Sequence, residues 1–260
     1  MYVETNGVRI HYEISGNGRP LILLHGNGED MSIFDVAVEE LQDFFTVVTV
    51  DSRGHGSSQD VDVLHYDDIA EDVHCLIQKL CLQKPVLFGY SDGGIAGLIL
   101  ASKHPDDLIR LAVGGANTDP SCIEWTDDEL ASLDREDPRI RMMLEEPHIT
   151  ELDLSSIKVP VLVIAGEFDM IKRSDTEFIA KSVPYGNMYI VPEADHGSYI
   201  EHSVVLPRIL KDWLIRDGDK PSFPTDYRVE LSRKRRRRPY RSAPLNSRFI
   251  THYLRETHAR

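Results

Sequence analysis

The stretch PVLFGYSDGGIAGLILASKH, residues 85–104, decides the fold. Residues 86–90 are apolar and too few to form a helix, so they predict a buried strand. Residues 92–104 are mostly apolar and stop before Pro105, which predicts a helix that ends there. A chain that passes directly from this strand into this helix must turn abruptly at Gly-Tyr-Ser-Asp-Gly, residues 89–93.

Ser91 stands at the tip of this predicted turn, in a G-x-S-x-G pattern. Such a turn forces the serine into a strained backbone conformation and projects its hydroxyl above the sheet edge, and the flanking Gly89 and Gly93 avoid side-chain clashes. The helix N-terminus offers free N–H groups and partial positive charge to an oxyanion. The pattern therefore predicts a nucleophile, and the competing interpretation is a small serine in a structural turn.

Short apolar segments alternate with helix-forming segments on both sides of this turn. The alternation predicts an α/β fold, in which helices cover both faces of a mostly parallel sheet. Residues 118 to about 154 interrupt it because they are polar, acidic and helix-prone. We interpret them as a short cap over one end of the sheet. The other predicted strands are GVRIHYEIS (7–15), LILLHG (21–26), FTVVTVD (45–51), LIRLAVGGAN (108–117), VPVLVIAGEFD (159–169) and NMYIVPEADHG (187–197).

A glycine-rich bend, LLHGNGED at residues 23–30, follows one of these strands. An oxyanion hole needs two N–H groups that converge on one point, and a bend of this kind can aim one of them inward. We therefore predict the backbone N–H groups of Asn27 and Asp92 as the two donors. His25 has two interpretations: it pins the bend by hydrogen bonding, or it lines the substrate pocket.

Asp169 and His196 each follow a predicted strand, in the chain order Ser91, Asp169, His196. A serine hydroxyl needs an imidazole base at neutral pH, and the imidazole needs a carboxylate that fixes its tautomer and stabilises its charge. Carboxyl ends of parallel strands meet at one sheet edge, where ligands bind in open α/β sheets. We predict that Ser91, His196 and Asp169 are catalytic. The rival acids are Asp195, Glu167 and Asp119.

Five motifs occur in a fixed order along the chain: HGNG (25–28), DSRGHGSS (51–58), GYSDGG (89–94), GEFD (166–169) and DHGSYI (195–200). Together they resemble the α/β-hydrolase superfamily over a domain of residues 1–218. The SDGG form of the turn is similar to that of valacyclovir-hydrolase-like members. The resemblance implies an eight-stranded, mostly parallel sheet, a Ser-His-Asp triad and no cofactor. Two features depart from it: the cap is short, and residues 219–260 have no counterpart that we recognise.

The side chain of Asp92 has two interpretations. In the first, it caps the helix N-terminus and points away from the substrate. In the second, it binds a cationic group such as the amine of an ester or amide, with added long-range attraction from Glu29, Asp30 and the acidic cap. We place His25, Glu29, Tyr90 and Asp92 in the predicted substrate pocket. The loop DSRGHGSS is interpreted as architectural, with Asp51 and Arg53 bracing the backbone.

The net charge of −14 is distributed unevenly. From Arg228 onward there are 11 basic and 2 acidic residues, so residues 1–227 carry −23. An acidic body disfavours nucleic acid as a partner. We interpret residues 219–260 as a basic, disordered tail. The alternatives for this tail are nucleic-acid binding, a nuclear address and docking onto the acidic body.

The sequence predicts a cytoplasmic protein without a membrane partner. It contains no apolar run of 18 residues and no signal-peptide pattern. H-E-x-x-H, C-x-x-C and P-loop patterns are also absent, so neither a metal nor a nucleotide cofactor is expected. Three cysteines without disulfide or metal spacing indicate reduced thiols. These are Cys75, Cys81 and Cys122.

The predicted function is a serine hydrolase that cleaves a small carboxylic ester, thioester, lactone or amide through an acyl-enzyme. Its partner is a small-molecule acyl substrate. Serine at position 91 argues against haloalkane dehalogenases and epoxide hydrolases, which use a carboxylate nucleophile there. Two interpretations stay open beside it: a cofactor-free haloperoxidase-like activity that uses the same triad, and a non-catalytic protein that binds a small molecule in the same pocket.

Overall fold

The computed structural model describes residues 1–215, in which eight strands form one sheet. The strands are β1 (Tyr2–Thr5), β2 (Val8–Ser15), β3 (Arg19–Leu24), β4 (Phe45–Val50), β5 (Val86–Tyr90), β6 (Arg110–Gly114), β7 (Val161–Phe168) and β8 (Gly186–Asp195). The helices are α1 (Asp35–Leu41), α2 (Tyr66–Lys79), α3 (Asp92–Lys103), α4 (Asp127–Ser132), α5 (Pro138–Glu145), α6 (Glu151–Ser155), α7 (Arg173–Ser182) and α8 (Val205–Ile215). Short 3-10 turns cover Met31–Phe34 and Pro120–Cys122.

The strands lie in the order β1-β2-β4-β3-β5-β6-β7-β8. The pairs β1–β2 and β2–β4 are antiparallel, and the five remaining pairs are parallel. The eight-stranded, mostly parallel sheet implied by the resemblance is therefore confirmed. Its parallel arrangement brings the carboxyl ends of β3, β5, β7 and β8 to the same edge.

Successive residues of the central strands enter two different cores. In β5, Leu87 packs against the layer of α2 and α3, whereas Phe88 and Tyr90 pack against the layer of α1 and α8. This two-residue alternation explains why the strand is apolar throughout: both of its faces are buried. The prediction of helices on both faces is confirmed. Each fully buried side chain of this kind contributes about 1.5–3 kcal/mol to folding.

The polar segment between β6 and β7 contains the turn Pro120–Cys122 and the short helices α4, α5 and α6. It carries a small apolar cluster of its own, in which Ile123, Ile140 and Met143 pack with Ile171. Residues 123 and 171 also form an isolated antiparallel bridge. The segment is thus held by its own contacts and by the loop after β7.

Among residues 1–215, no helix is both long and apolar enough to cross a membrane. The predicted basic tail, residues 219–260, lies outside the described residues, as does the predicted domain boundary at residue 218.

Candidate active site

Ser91 occupies a sharp turn between β5 and α3. Its backbone has φ 50° and ψ −113°, a conformation that costs free energy for any residue with a side chain. The glycines on either side have no room for a side chain: a Cβ on Gly89 would collide with the carbonyl of Gly93, and one on Gly93 would lie 2.5 Å from the carbonyl oxygen of Leu24. The strand-to-helix turn expected from residues 89–93 is present.

The structure brings Ser91, His196 and Asp169 together at the carboxyl edge of the sheet. The Nε2 atom of His196 lies 3.2 Å from the Oγ atom of Ser91. The Nδ1 atom of the same ring lies 2.6 Å from Oδ1 of Asp169. Ser91 and His196 are each 8% exposed, so the site is nearly enclosed. These contacts span 105 and 27 residues of sequence.

The electrostatics of this group favour a charged imidazole. Burial lowers the pKa of His196, but the attraction and hydrogen bond of the Asp169 carboxylate outweigh it, and the pKa is raised overall. For Asp169 the two effects have the opposite signs. Burial raises its pKa, but the charge and hydrogen bond of His196 and two backbone donors outweigh burial, and the pKa is lowered overall. The donors are the N–H groups of Gly166 (3.2 Å) and Ile171 (3.0 Å). Asp169 is therefore held as an oriented carboxylate.

The rival acids make other contacts. A carboxylate oxygen of Asp195 accepts a hydrogen bond from the N–H of Ser198 at 2.9 Å. Glu167 accepts one from the N–H of Glu193 at 2.8 Å. Asp119 pairs with the ring of His148 on the surface. Of the four candidate acids, Asp169 is the one whose carboxylate contacts the Nδ1 atom of His196.

The bend after β3 lies against the start of α3. The carbonyl oxygen of His25 accepts a hydrogen bond from the N–H of Gly93 at 3.1 Å, which joins the two turns directly. The side-chain amide of Asn27 donates to Oδ2 of Asp92 (2.8 Å) and to the carbonyl oxygen of Arg139 in α5 (3.0 Å). Within residues 1–215, the backbone N–H groups of Asn27 and Asp92 make no hydrogen bond.

His25 supports the bend through both ring nitrogens. Its Nδ1 atom lies 2.7 Å from the carbonyl oxygen of Gly26, and its Nε2 atom accepts a hydrogen bond from the N–H of Ser52 at 3.0 Å. Burial lowers the pKa of this imidazole, so it is neutral. A ring that is 1% exposed and bonded at both nitrogens is placed to pin the loop rather than to line a pocket.

The Asp92 carboxylate does not cap its own helix. Its Oδ1 atom accepts a hydrogen bond from the hydroxyl of Tyr66 at 2.7 Å, and its Oδ2 atom accepts one from Asn27. The side chain therefore ties the start of α3 to the start of α2 and to the glycine-rich bend at residues 23–30, which we call the oxyanion bend after its predicted role. Burial raises the pKa of Asp92 to about 6. Tyr66 was not among the predicted site residues, and its one signal in the sequence is its position at the first residue of an amphipathic helix.

Two other residues placed in the pocket from sequence pack against the loops that carry the predicted chemistry. Tyr90 is completely buried, and its ring centroid lies 5.1 Å from that of His196. Glu29 is partly exposed, and its Oε2 atom accepts a hydrogen bond from the N–H of Gly26 at 2.9 Å. Tyr90 therefore packs against the ring of His196, and Glu29 supports the bend after β3.

The loop after β4 contains the two residues interpreted as braces. Asp51 accepts hydrogen bonds from the N–H groups of Met31 and Ser57, both at 2.9 Å. Arg53 forms a two-pronged pair with Asp72 of α2 at 2.6 and 2.8 Å, with both side chains buried. Removing one partner of a buried pair leaves an uncompensated charge, which typically costs about 3–5 kcal/mol. These contacts fix the loop that packs against the oxyanion bend.

One histidine cluster lies away from this site, between α2 and the end of α3. The rings of His74 and His104 stack at 3.8 Å with an interplanar angle of 14°. Each already has a carboxylate partner: Asp107 at 2.6 Å and Glu71 at 2.8 Å, respectively. The nitrogen lone pairs of two stacked rings point in parallel planes and do not converge on one point, as they would have to in order to bind one metal ion. We therefore interpret the cluster as two separate histidine–carboxylate hydrogen bonds.

The chain resembles known proteins in sequence and in fold. A family model described as "alpha/beta hydrolase fold" matches residues 19–136. Human serine hydrolase BPHL is 27% identical to the chain, over 82% of the chain and 85% of that protein. The matched region covers the oxyanion bend and the turn of Ser91.

Two solved structures share the architecture. The enol-lactonase from Burkholderia xenovorans LB400 superposes with a TM-score of 0.71 at 23% identity, over 83% of this chain and 100% of that one. The esterase RhEst1 from Rhodococcus sp. ECU1013 superposes with a TM-score of 0.72 at 20% identity, over 84% and 98%. At these identities the likeness establishes the fold.

Proposed function

We propose that the chain is a serine hydrolase of the α/β-hydrolase superfamily, and that it cleaves a small carboxylic ester, thioester, lactone or amide through an acyl-enzyme. One observation carries this proposal: the continuous hydrogen-bonded series from Ser91 through His196 to Asp169, with contacts of 3.2 and 2.6 Å. A hydroxyl next to an imidazole that is itself held by a buried carboxylate is the arrangement that activates serine.

Acylation begins when the Oγ atom of Ser91 attacks the substrate carbonyl. Its proton passes to Nε2 of His196, and Asp169 stabilises the imidazolium that forms. The raised pKa of His196 suits this step because the ring must accept a proton while it stays buried. His196 then returns the proton to the leaving oxygen, sulfur or nitrogen, which departs and leaves an ester on Ser91.

The developing oxyanion is stabilised by the backbone N–H groups of Asn27 and Asp92. Both are free of hydrogen bonds among the described residues, and the N–H of Asp92 stands at the N-terminus of α3, where the helix dipole favours negative charge. Each donor of this kind typically lowers the barrier by about 2.7–4 kcal/mol. In deacylation, His196 activates a water molecule that attacks the acyl carbon, and the same two donors act again.

The relatives support hydrolysis of an acyl bond. Their names describe a serine hydrolase, an enol-lactonase and an esterase. The substrates that fit this chain are small, because Ser91 and His196 are nearly enclosed and α5 is bonded to the oxyanion bend through Asn27.

Labelling with a fluorophosphonate probe tests the proposal. We expect the native protein to be labelled and the adduct to be found by mass spectrometry on the peptide that contains Ser91. A panel of p-nitrophenyl esters, lactones and anilides then identifies the substrate class. A well-folded protein that is neither labelled nor active on any of them would instead be a binding protein with a silent triad.

A second prediction concerns a cationic substrate group. With its pKa raised to about 6, Asp92 is ionised at pH 7.5, and its charge lies beside the nucleophile. We expect amine-bearing esters to be preferred over neutral esters of equal size at pH 7.5, and the preference to decline below pH 6 as the carboxylate gains a proton.

The substitution Asp92→Asn tests this prediction. We expect it to lower the amine-to-neutral ratio of kcat/KM about tenfold, which corresponds to about 1.4 kcal/mol. Glu13→Gln, at an exposed position in β2, removes the same charge outside the acidic cap and should leave the ratio unchanged. An unaltered ratio in Asp92→Asn, with Tm close to that of the native protein, would exclude amine recognition by Asp92.

A further inference from the structure

The two residues proposed to bind the oxyanion are joined to each other by their side chains. The Nδ2 atom of Asn27 donates to Oδ2 of Asp92 at 2.8 Å, and both residues are buried. Nδ2 also donates to the carbonyl oxygen of Arg139 at 3.0 Å. A side-chain amide has two N–H donors, so both are used here and the orientation of the amide is fixed. The bend that carries one oxyanion donor is therefore held to the helix that carries the other.

Tyr66 completes the support of the Asp92 carboxylate. Its side chain is 1% exposed and packs in the core between the sheet and the helices α2 and α3. Its hydroxyl donates to Oδ1 of Asp92 at 2.7 Å, while Asn27 occupies Oδ2. Each carboxylate oxygen thus has a donor, and the two donors fix the plane of the group. Removing the hydroxyl leaves a buried carboxylate oxygen without its donor, an unfavourable state that the side chain relieves by rotating away from Asn27.

The same network passes through the cap helix α5. Arg139, whose carbonyl oxygen accepts from Asn27, lies in the first turn of α5, and Glu146 directly follows its last residue. The Oε2 atom of Glu146 accepts a hydrogen bond from the backbone N–H of Tyr66 at 3.2 Å. Its Oε1 atom lies 2.5 Å from the Nδ1 atom of the neighbouring His65. Both ends of α5 are therefore bonded to residues that hold the Asp92 carboxylate.

These contacts close a ring of hydrogen bonds, which we call the Asp92 ring. It runs from Asp92 to Asn27, from Asn27 to the start of α5, from the end of α5 through Glu146 to Tyr66, and from Tyr66 back to Asp92. Between its two ends, α5 buries three apolar side chains, those of Ile140, Met142 and Met143. The helix is thus packed as one piece, and a shift of α5 changes the contacts of both donors to the carboxylate.

We propose that Tyr66 and the side chain of Asn27 are positioning residues of the oxyanion hole, and that the cap helix α5 takes part in the same role through the Asp92 ring. The bonds on the two carboxylate oxygens keep the backbone N–H groups of Asn27 and Asp92 at the separation that the oxyanion needs. Donors of this kind stabilise the transition state because they are already in place when the charge develops. The inference rests on the proposed hydrolase function.

Kinetics of Tyr66→Phe test the positioning role, since this substitution removes the hydroxyl and keeps the buried aromatic ring. On a neutral ester we expect kcat to fall about 20-fold with KM within about threefold, as for an interaction that matters in the transition state. Thr5→Val is the matched control because the Thr5 hydroxyl donates to another buried carboxylate of α2, that of Asp72, at 2.8 Å. It should keep kcat within about twofold. Equal losses of kcat in the two variants would mean general destabilisation and would overturn the role.

Binding of a transition-state analogue separates the oxyanion hole from the rest of the pocket. Phenylboronic acid forms a tetrahedral adduct with an activated serine, in which one oxygen takes the position of the oxyanion, whereas benzamide stays trigonal. We expect Tyr66→Phe to raise the Kd of phenylboronic acid about tenfold and that of benzamide less than about twofold. An equal change for both compounds would place the effect in ground-state binding and contradict the proposal.

The part played by α5 is tested at its other end. Glu146→Ala opens the Asp92 ring there, and we expect kcat to fall about fivefold. Since either substitution opens the same ring, the double variant with Tyr66→Phe should be about as active as Tyr66→Phe alone. Glu145→Ala, at the exposed residue just before, is the control and should keep native activity. Losses that multiply in the double variant would show two independent effects and exclude the role of α5.

Amide hydrogen exchange reports on the ring without any substrate. We expect residues 26–30 and 138–146 to exchange faster in Tyr66→Phe than in the native protein, and at the native rate in Thr5→Val. If this difference occurs in a protein that hydrolyses no ester and takes no fluorophosphonate label, the proposed function fails and the ring stands. If the native protein is active and Tyr66→Phe keeps both its kcat and its exchange rates, the ring fails and the function stands.

Discussion

Replacing Ser91 by alanine lowers kcat about a millionfold, the magnitude seen when the nucleophile of an acyl-enzyme mechanism is removed. Without Oγ no covalent intermediate forms, and His196 has no hydroxyl to activate. The residual rate above that in water comes from the oxyanion donors and from substrate binding, about a thousandfold to ten-thousandfold in comparable enzymes. The same substitution abolishes labelling by the fluorophosphonate probe.

The variant is expected to fold normally. Alanine adopts the backbone conformation at residue 91 at about the same cost as serine, and the side-chain hydrogen bond given up among residues 1–215 is the 3.2 Å contact with His196. Thermal unfolding of Ser91→Ala should therefore stay within a few degrees of the native Tm. Ser57→Ala, at an exposed serine, is the matched control and should keep full activity and labelling. More than 1% residual kcat in a pure preparation of Ser91→Ala would argue for another nucleophile.

The fold was predictable because its signals are local. An apolar strand of five residues and a helix that begins at the next residue but one specify the turn at Ser91 without knowledge of any distant residue. The alternation of strands and helices predicts a parallel sheet. The carboxyl ends of its strands meet at one edge, so Asp169 and His196 lie at the same edge as Ser91. Chain order and strand ends thus predicted Ser91, His196 and Asp169, with three other acids left as rivals of Asp169 until the 2.6 Å contact with His196 decided among them.

The support around these three residues was not predictable in the same way. Tyr66 reaches Asp92 across 26 residues, and Asn27 reaches the carbonyl of Arg139 across 112. Contacts of this kind depend on side-chain directions and on the packing of α2 and α5, which periodicity does not determine.

For two other residues the sequence indicated the chemistry of the side chain but not the groups towards which the side chain points. For His25 the sequence left two interpretations open, and the bonds of both ring nitrogens to backbone decide in favour of the loop. For Asp92 neither interpretation matches the geometry fully, because the carboxylate neither caps α3 nor stands free for a ligand. Its two bonds join three elements, and its charge nevertheless lies next to the nucleophile.

The acidic surroundings of His196 lead to the second large effect. Asp169→Asn should lower kcat about ten-thousandfold, as loss of the orienting carboxylate does in comparable triads. An asparagine amide can donate to Nδ1 and so favours the wrong tautomer, in which Nε2 carries a hydrogen and cannot accept the proton of Ser91. The carbonyl oxygen of the asparagine then takes the place of Oδ2 and keeps the N–H of Gly166 as its donor, whereas the N–H of Ile171 loses its acceptor, so we expect a modest fall in Tm beside the large loss of activity.

The pH dependence gives this substitution a signature that a folding defect lacks. Asp169 raises the pKa of His196, so its removal lowers that pKa and moves the acid limb of kcat/KM to lower pH. Asp195→Asn is the matched control: it removes a neighbouring charge whose carboxylate is bonded to Ser198, and kcat should stay within about threefold. Profiles of the two variants, measured on the best ester of the panel, decide the assignment. If Asp195→Asn lost more activity than Asp169→Asn, the carboxylate that orients His196 during the reaction would be Asp195, and the loop after β8 would have to rearrange on substrate binding.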